Sequence, residues 1–132
     1  MGFFDRNREQ LANKGIDNAR LPPGQYLTER FPVLHVGDVP TYEPGDWDLK
    51  IFGLVDKPFT INLDELKSMP AVTLLTDIHC VTKWSKFDTT WKGVRVRDLF
   101  ERAGMQSGAA YIMGHAEHGY TANLPLGDVL LD

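Results

Sequence analysis

Six of the eight prolines in this 132-residue chain lie between Pro22 and Pro58. Proline fixes φ and removes a backbone donor, which keeps it out of helix interiors and central strands. Residues 17–47, with the turn-forming stretches RLPPGQ and TYEPGD, are therefore expected to run irregularly over the surface, or over a ligand, in extended form. Residues 5–14 in front of them read as a short polar helix ending near Gly15. The regular part of the fold has to come from residue 47 onward.

There the patterning changes. In WDLKIFGLV, Leu49 and Ile51 alternate with polar neighbours, as in a strand, and DKP turns the chain into a second short strand, FTI. NLDELKSMP reads as a helix with Asn62 as N-cap, Glu65 completing a capping box and Pro70 closing it. The apolar, β-branched run AVTLLTDI predicts a buried strand that delivers His79 and Cys80 at its end, and FDTTW reads as a short strand. VRVRDLFERAG predicts a helix with Leu99, Phe100 and Ala103 inward and Gly104 as its cap. AAYIMGH and GYTANLP read as two further strands, and PLGDVLLD as the first turns of a helix. Strands and short helices interleave without a βαβ rhythm, so the expected class is mixed α+β.

Several functions are disfavoured by the bulk properties. A net charge of −4 argues against a general nucleic-acid binder. No apolar run approaches the ~20 residues of a membrane span, and MGFFDRNREQLANKG lacks the pattern of a secretory signal, which makes the cytoplasm the expected compartment. A single cysteine excludes an internal disulfide framework and a Cys-rich zinc site. No phosphate-binding Gly-rich loop and no G-x-S-x-G elbow occur. The histidines at 35, 79, 115 and 118 lack compact zinc-ligand spacing. GHAEHG looks like a helical zinc motif, but its glycines and strand-like surroundings speak against a helix.

The single thiol is the chemical focus. A lone cysteine is often only a small buried hydrophobe. Cys80, however, falls at a strand end, and between Lys83 and Arg102 six basic residues face three acidic ones. His79, Lys83 and Lys86 nearby would favour its thiolate, which can act as a nucleophile or a soft metal ligand. As a strand neighbour, His79 would point to the opposite face and make a poor base for Cys80; His115 or His118 could serve only if the fold brought them there. Trp84 and Trp91 read as core or pocket-wall residues.

The stretch HCVTKWSKFDTTWKGVRVRDLFERAG resembles the oxidoreductase molybdopterin-binding domain of the sulfite oxidase superfamily, and most closely its small bacterial members. RLPPGQ and FPVL before it, WDLKIFGLVDKPFTINLDELKSMP leading in, and GYTANLPLGDVLL after it extend the resemblance over residues 20–132, leaving residues 1–19 as an N-terminal extension. The resemblance implies a sulfite-oxidase-like fold and a molybdenum–molybdopterin cofactor. It makes Cys80 the only protein ligand to the metal, a pterin dithiolene and oxo groups completing the sphere. It sets Tyr120, in GYTANLPL, beside the substrate and His35, in FPVLHVG, on the segment that contacts the pterin. Lys83 and His115 are assigned with His35 and Cys80 as cofactor-binding positions, Lys83 because it adjoins Cys80. Family members continue into a Gly- and Pro-rich stretch with Arg and Lys for the pterin phosphate. No such stretch precedes Asp132, and the C-terminal part of the domain is expected to be missing from this chain.

The implied activity is oxygen-atom transfer on a small oxo substrate such as a sulfoxide or sulfite, with a redox protein as a possible partner. Two other readings stay open from the residues: a non-catalytic pterin-binding module or inactive fragment of the same fold, and a metal-free enzyme with a cysteine nucleophile.

Overall fold

The computed structural model describes residues 2–131. They form two compact units. One holds the chain up to Val33 together with Thr73–Trp91; the other holds Leu34–Val72 and the chain from Lys92 on.

The first unit opens with helix α1 (Phe3–Asn13), whose Leu11 is fully buried. A 3₁₀ turn, Asn18–Arg20, follows, with the Asp17 carboxylate accepting from the Ala19 N–H. The proline-rich segment then supplies only a two-residue strand, β1 (Tyr26–Leu27). The absence of longer elements through residue 47 follows from its prolines. The strand pairs in parallel with β5 (Trp84–Val94), Tyr26 opposite Trp84 and Leu27 opposite Ser85. On the other side of β5 lies β4 (Ala71–His79), so the sheet order is β1-β5-β4. Leu21, Trp84, Ser85 and Thr89 are buried.

Arg20 ties this unit together. Its Nε and Nη2 donate to the two carboxylate oxygens of Asp77, each at 2.7 Å, and Nη2 also donates to Asp88. The guanidinium lies 4.3 Å from the centre of the Phe87 ring. Asp88, in the left-handed region at φ 52°, donates its own N–H to Asp77. A planar guanidinium with several fixed donors is suited to such a node.

Strand β4 forms where its β-branched run predicts, but it is not the buried strand expected. Leu74 and Leu75 are 58% and 63% exposed. It is an edge strand of the described sheet, paired on one side only, and an apolar run of this length does not by itself distinguish an edge from a centre. Trp84 meets its core expectation. Trp91 does not: it is about half exposed and touches Phe31 edge-on instead.

In the second unit, β2 (Asp48–Ile51) and β3 (Phe59–Asn62) pair antiparallel. Their inward residues Ile51 and Ile61 pack with Val55, Leu99 and Ala103, flanked by Leu49, Phe59, Leu66, Met69, Val94 and Phe100. Helix α2 (Leu63–Ser68) starts in the expected capping box: Asn62 accepts from the Glu65 N–H at 2.8 Å, and Glu65 accepts from the Asn62 N–H at 2.9 Å. Helix α3 (Val96–Ala103) turns Leu99 and Ala103 into the core and ends at Gly104, φ 69°. Its end is held by Asp56 and Lys57, whose N–H groups donate to the carbonyls of Gly104 and Ala103. Strands β6 (Tyr111–His115) and β7 (Thr121–Pro125) form an antiparallel pair around a 3₁₀ turn, Glu117–Gly119, and a one-turn helix α4 (Leu126–Val129) follows. The class is α+β with mixed sheets, as the patterning predicts.

Candidate functional site

Cys80 stands at the first position of the turn that joins β4 to β5. Its N–H donates to the Trp84 carbonyl at 2.9 Å, and its own carbonyl accepts from the Lys83 N–H at 3.0 Å. Closing the turn this way places Lys83 at φ 73°, in the left-handed region that L-residues seldom occupy. The side chain of Cys80 is half-buried. The Thr82 hydroxyl donates to its sulfur at 3.2 Å. That bond, with the N–H groups of Thr82 and Val81, outweighs the desolvation of partial burial and holds the thiol below its ordinary range. The lowering expected from His79, Lys83 and Lys86 therefore has a different source, in the turn itself. Lys86 is engaged elsewhere, donating to Thr89 at 3.2 Å and lying 5.2 Å from the Phe31 ring centre.

Behind the turn, Gln25 reaches across from the residue preceding β1. Its amide Nε2 donates to the Cys80 carbonyl at 3.0 Å, and its Oε1 accepts from the hydroxyl of fully buried Ser85 at 3.2 Å. His79 Nδ1 lies 2.8 Å from the same hydroxyl. The expectation that His79 is no base for Cys80 agrees with this partner.

The other assigned residues lie in the second unit. His35 donates from Nδ1 to the Gly37 carbonyl at 2.6 Å, and its side chain is exposed. Its segment is clasped to the 117–119 turn at two points. His118 donates from Nε2 to the Asp38 carbonyl at 2.7 Å, and Tyr42 donates to Glu117 at 2.7 Å, a bond that raises the Tyr42 pKa. Gly37, φ 71°, sits against the His118 ring, where a Cβ would come within 2.8 Å. His115 ends β6 with its ring 5.7 Å from that of Phe52. Tyr120 is 55% exposed, and its carbonyl accepts from the Ala116 N–H at 2.9 Å, so His115 and Tyr120 flank one turn. The turn is 3₁₀ with His118 at φ 60°, not the α-helix that a zinc motif would need.

Among the described residues, no three His, Cys, Asp or Glu side chains gather as a ligand set. A protein supplying one soft, pre-polarised sulfur suits a metal whose other sulfurs come from its cofactor. Cys80 thus fits the group that its motif implies. The residues that sequence reasoning missed are Thr82, Gln25 and Ser85. Thr82 was accessible by proximity to the thiol, whereas Gln25 is 55 positions from Cys80 and had no signal.

Within the first unit the candidate centre is thus one half-buried thiol held in a closed turn, with its sulfur accepting from Thr82. Comparison with known proteins makes the class definite. Residues 36–132 match the family model of the oxidoreductase molybdopterin binding domain, and the chain belongs to that family. It is 47% identical over 131 residues to the uncharacterized oxidoreductase YuiH of Bacillus subtilis (strain 168), covering 98% of this chain and 64% of that protein. It is 34% identical over 73 residues to the protein-methionine-sulfoxide reductase catalytic subunit MsrP of Ralstonia nicotianae, covering 54% of this chain and 22% of that subunit. The chain therefore spans less than two thirds of these relatives' lengths. The crystal structure of the sulfane dehydrogenase SoxCD from Paracoccus pantotrophus superposes with a TM-score of 0.60 at 19% identity, over 70% of this chain and 29% of that one. The fold is sulfite-oxidase-like, and the cofactor of the family is molybdenum–molybdopterin.

Proposed function

We propose that this chain is the cofactor-bearing domain of an oxidoreductase that moves an oxygen atom on or off a small substrate such as a sulfoxide or sulfite, with Cys80 as the protein's bond to molybdenum. The observation that carries this reading is the half-buried sulfur of Cys80 in a locked turn, accepting a hydrogen bond from Thr82. Similarity to a protein-methionine-sulfoxide reductase favours a sulfoxide among the candidate substrates. In this reading residues 20–132 are the domain and residues 1–19 its extension. The cytoplasmic setting and a redox partner protein belong to the same proposal and rest on the sequence.

When bound, the cofactor supplies two-electron redox chemistry and the remaining sulfur ligands. The protein's contributions are positional and electrostatic. Cys80 would hold the metal through a sulfur whose charge Thr82 and two backbone N–H groups stabilise. Lys83, exposed beside it, would favour the anionic cofactor, and His35 and His115 keep the cofactor-binding roles that the sequence resemblance implies. The exposed phenol of Tyr120 would donate a hydrogen bond to a substrate oxygen. A cysteine-nucleophile reading gains no support from the thiol's surroundings, since its polar side-chain neighbour is a hydroxyl and His79 is turned to Ser85.

Substitution tests the assignment. In the cofactor-loaded protein, Tyr120→Phe should lower turnover while leaving molybdenum content intact. Cys80→Ser should abolish redox turnover with little loss of stability, because a hard hydroxyl replaces a soft thiolate poorly. Wild-type turnover in Cys80→Ser would refute the ligand role.

A further inference from the structure

The hydrogen bonds behind the Cys80 turn admit one arrangement of protons. The Cys80 carbonyl can only accept, so the group of Gln25 at 3.0 Å from it must be the amide NH₂. That orientation points Oε1 at Ser85, 3.2 Å away, and the single Ser85 hydroxyl proton must go to it. Ser85 then has only lone pairs left for His79, so Nδ1 of His79 carries the hydrogen across the 2.8 Å contact. The chain of bonds runs His79 to Ser85 to Gln25 to the Cys80 carbonyl, and each donor has one acceptor.

The anchor of this chain is stiff. Ser85 is fully buried and sits in register opposite Leu27, and its carbonyl accepts from the Thr28 N–H at 2.9 Å. On the other side, Tyr26 donates its N–H to the Lys83 carbonyl at 2.9 Å. Gln25 thus projects from a backbone already fixed to the far side of the same turn. With the Lys83 N–H, it saturates both lone pairs of the Cys80 carbonyl. A shift of the Cys80 backbone that carried Cβ and the sulfur with it would lengthen both bonds.

We infer that Gln25, held by Ser85, is a positioning residue that fixes the Cys80 backbone so that its sulfur meets the metal in one orientation. This rests on the reading of Cys80 as the molybdenum ligand. Groups that orient a metal ligand from behind tune the metal as well as its affinity.

The test compares Gln25→Met, Ser85→Ala and Cys80→Ala with wild type in the cofactor-loaded protein, by molybdenum content per chain and by the electron paramagnetic resonance signature of the Mo(V) state. Circular dichroism monitors folding. Gln25→Met keeps the length of the side chain and removes the amide; Ser85→Ala leaves Gln25 in place without its anchor. The expected result is a folded Gln25→Met protein with shifted or broadened g-values, a smaller shift of the same sense in Ser85→Ala, and loss of the signature in Cys80→Ala. Should Gln25→Met fail to fold, Ser85→Ala decides by the same criterion. A wild-type signature in the folded Gln25 and Ser85 variants, while Cys80→Ala loses it, overturns the positioning role alone. A wild-type signature in Cys80→Ala overturns the ligand reading and the positioning role with it.

Discussion

Single residues here act chiefly by restraining backbone. Asp77 accepts two bonds from Arg20, which hold its carboxyl below the ordinary value of 3.8. A carboxylate with a depressed folded-state pKa adds stability above its unfolded pKa, and that contribution is lost as pH falls through the folded value. Asp77→Asn should therefore destabilise the protein at neutral pH. The gap from wild type should close progressively as pH falls below the unfolded value of about 4. Urea melts of both proteins at neutral and strongly acidic pH check the sign; a gap that widens on acidification would contradict it. Gly37 makes a second case, since a methyl there meets the His118 ring at 2.8 Å on a left-handed backbone. Gly37→Ala should cost about 1–2 kcal/mol from conformation alone, and more if the His118–Asp38 bond opens. Its urea midpoint should fall accordingly.

Elements whose formation depends on near neighbours were legible in the sequence, and those defined by distant ones were not. The capping box of α2 needs only Asn62 and Glu65, and the inward face and glycine stop of α3 need only its own eight residues and Gly104. Asn62→Ala should accordingly lower stability by about 1 kcal/mol, measured by thermal denaturation. Ile61, 1% exposed between β2 and α3, should cost about 2–5 kcal/mol on truncation to alanine. By contrast, the exposure of β4 depends on what lies beside and above it, which a run of apolar residues does not encode. Strand β1 is the same lesson in reverse. Two residues within a proline-rich segment become a strand only because Trp84 and Ser85 offer it a parallel partner.

For the whole molecule, the motif around Cys80 carried the family and the fold, and the family match over residues 36–132 agrees with it. The division into two units was not legible, because the chain leaves the first at Leu34 and re-enters it at Thr73 without a change in composition. Nor was the support of the thiol, which comes from Gln25 across 55 positions. In the proposed function, Cys80 is the single protein sulfur in a coordination sphere otherwise provided by the cofactor. X-ray absorption at the molybdenum edge reads that sulfur directly. The cofactor-loaded Cys80→Ser protein should show one molybdenum–sulfur bond fewer than wild type; an unchanged sulfur count would rule out Cys80 as the ligand.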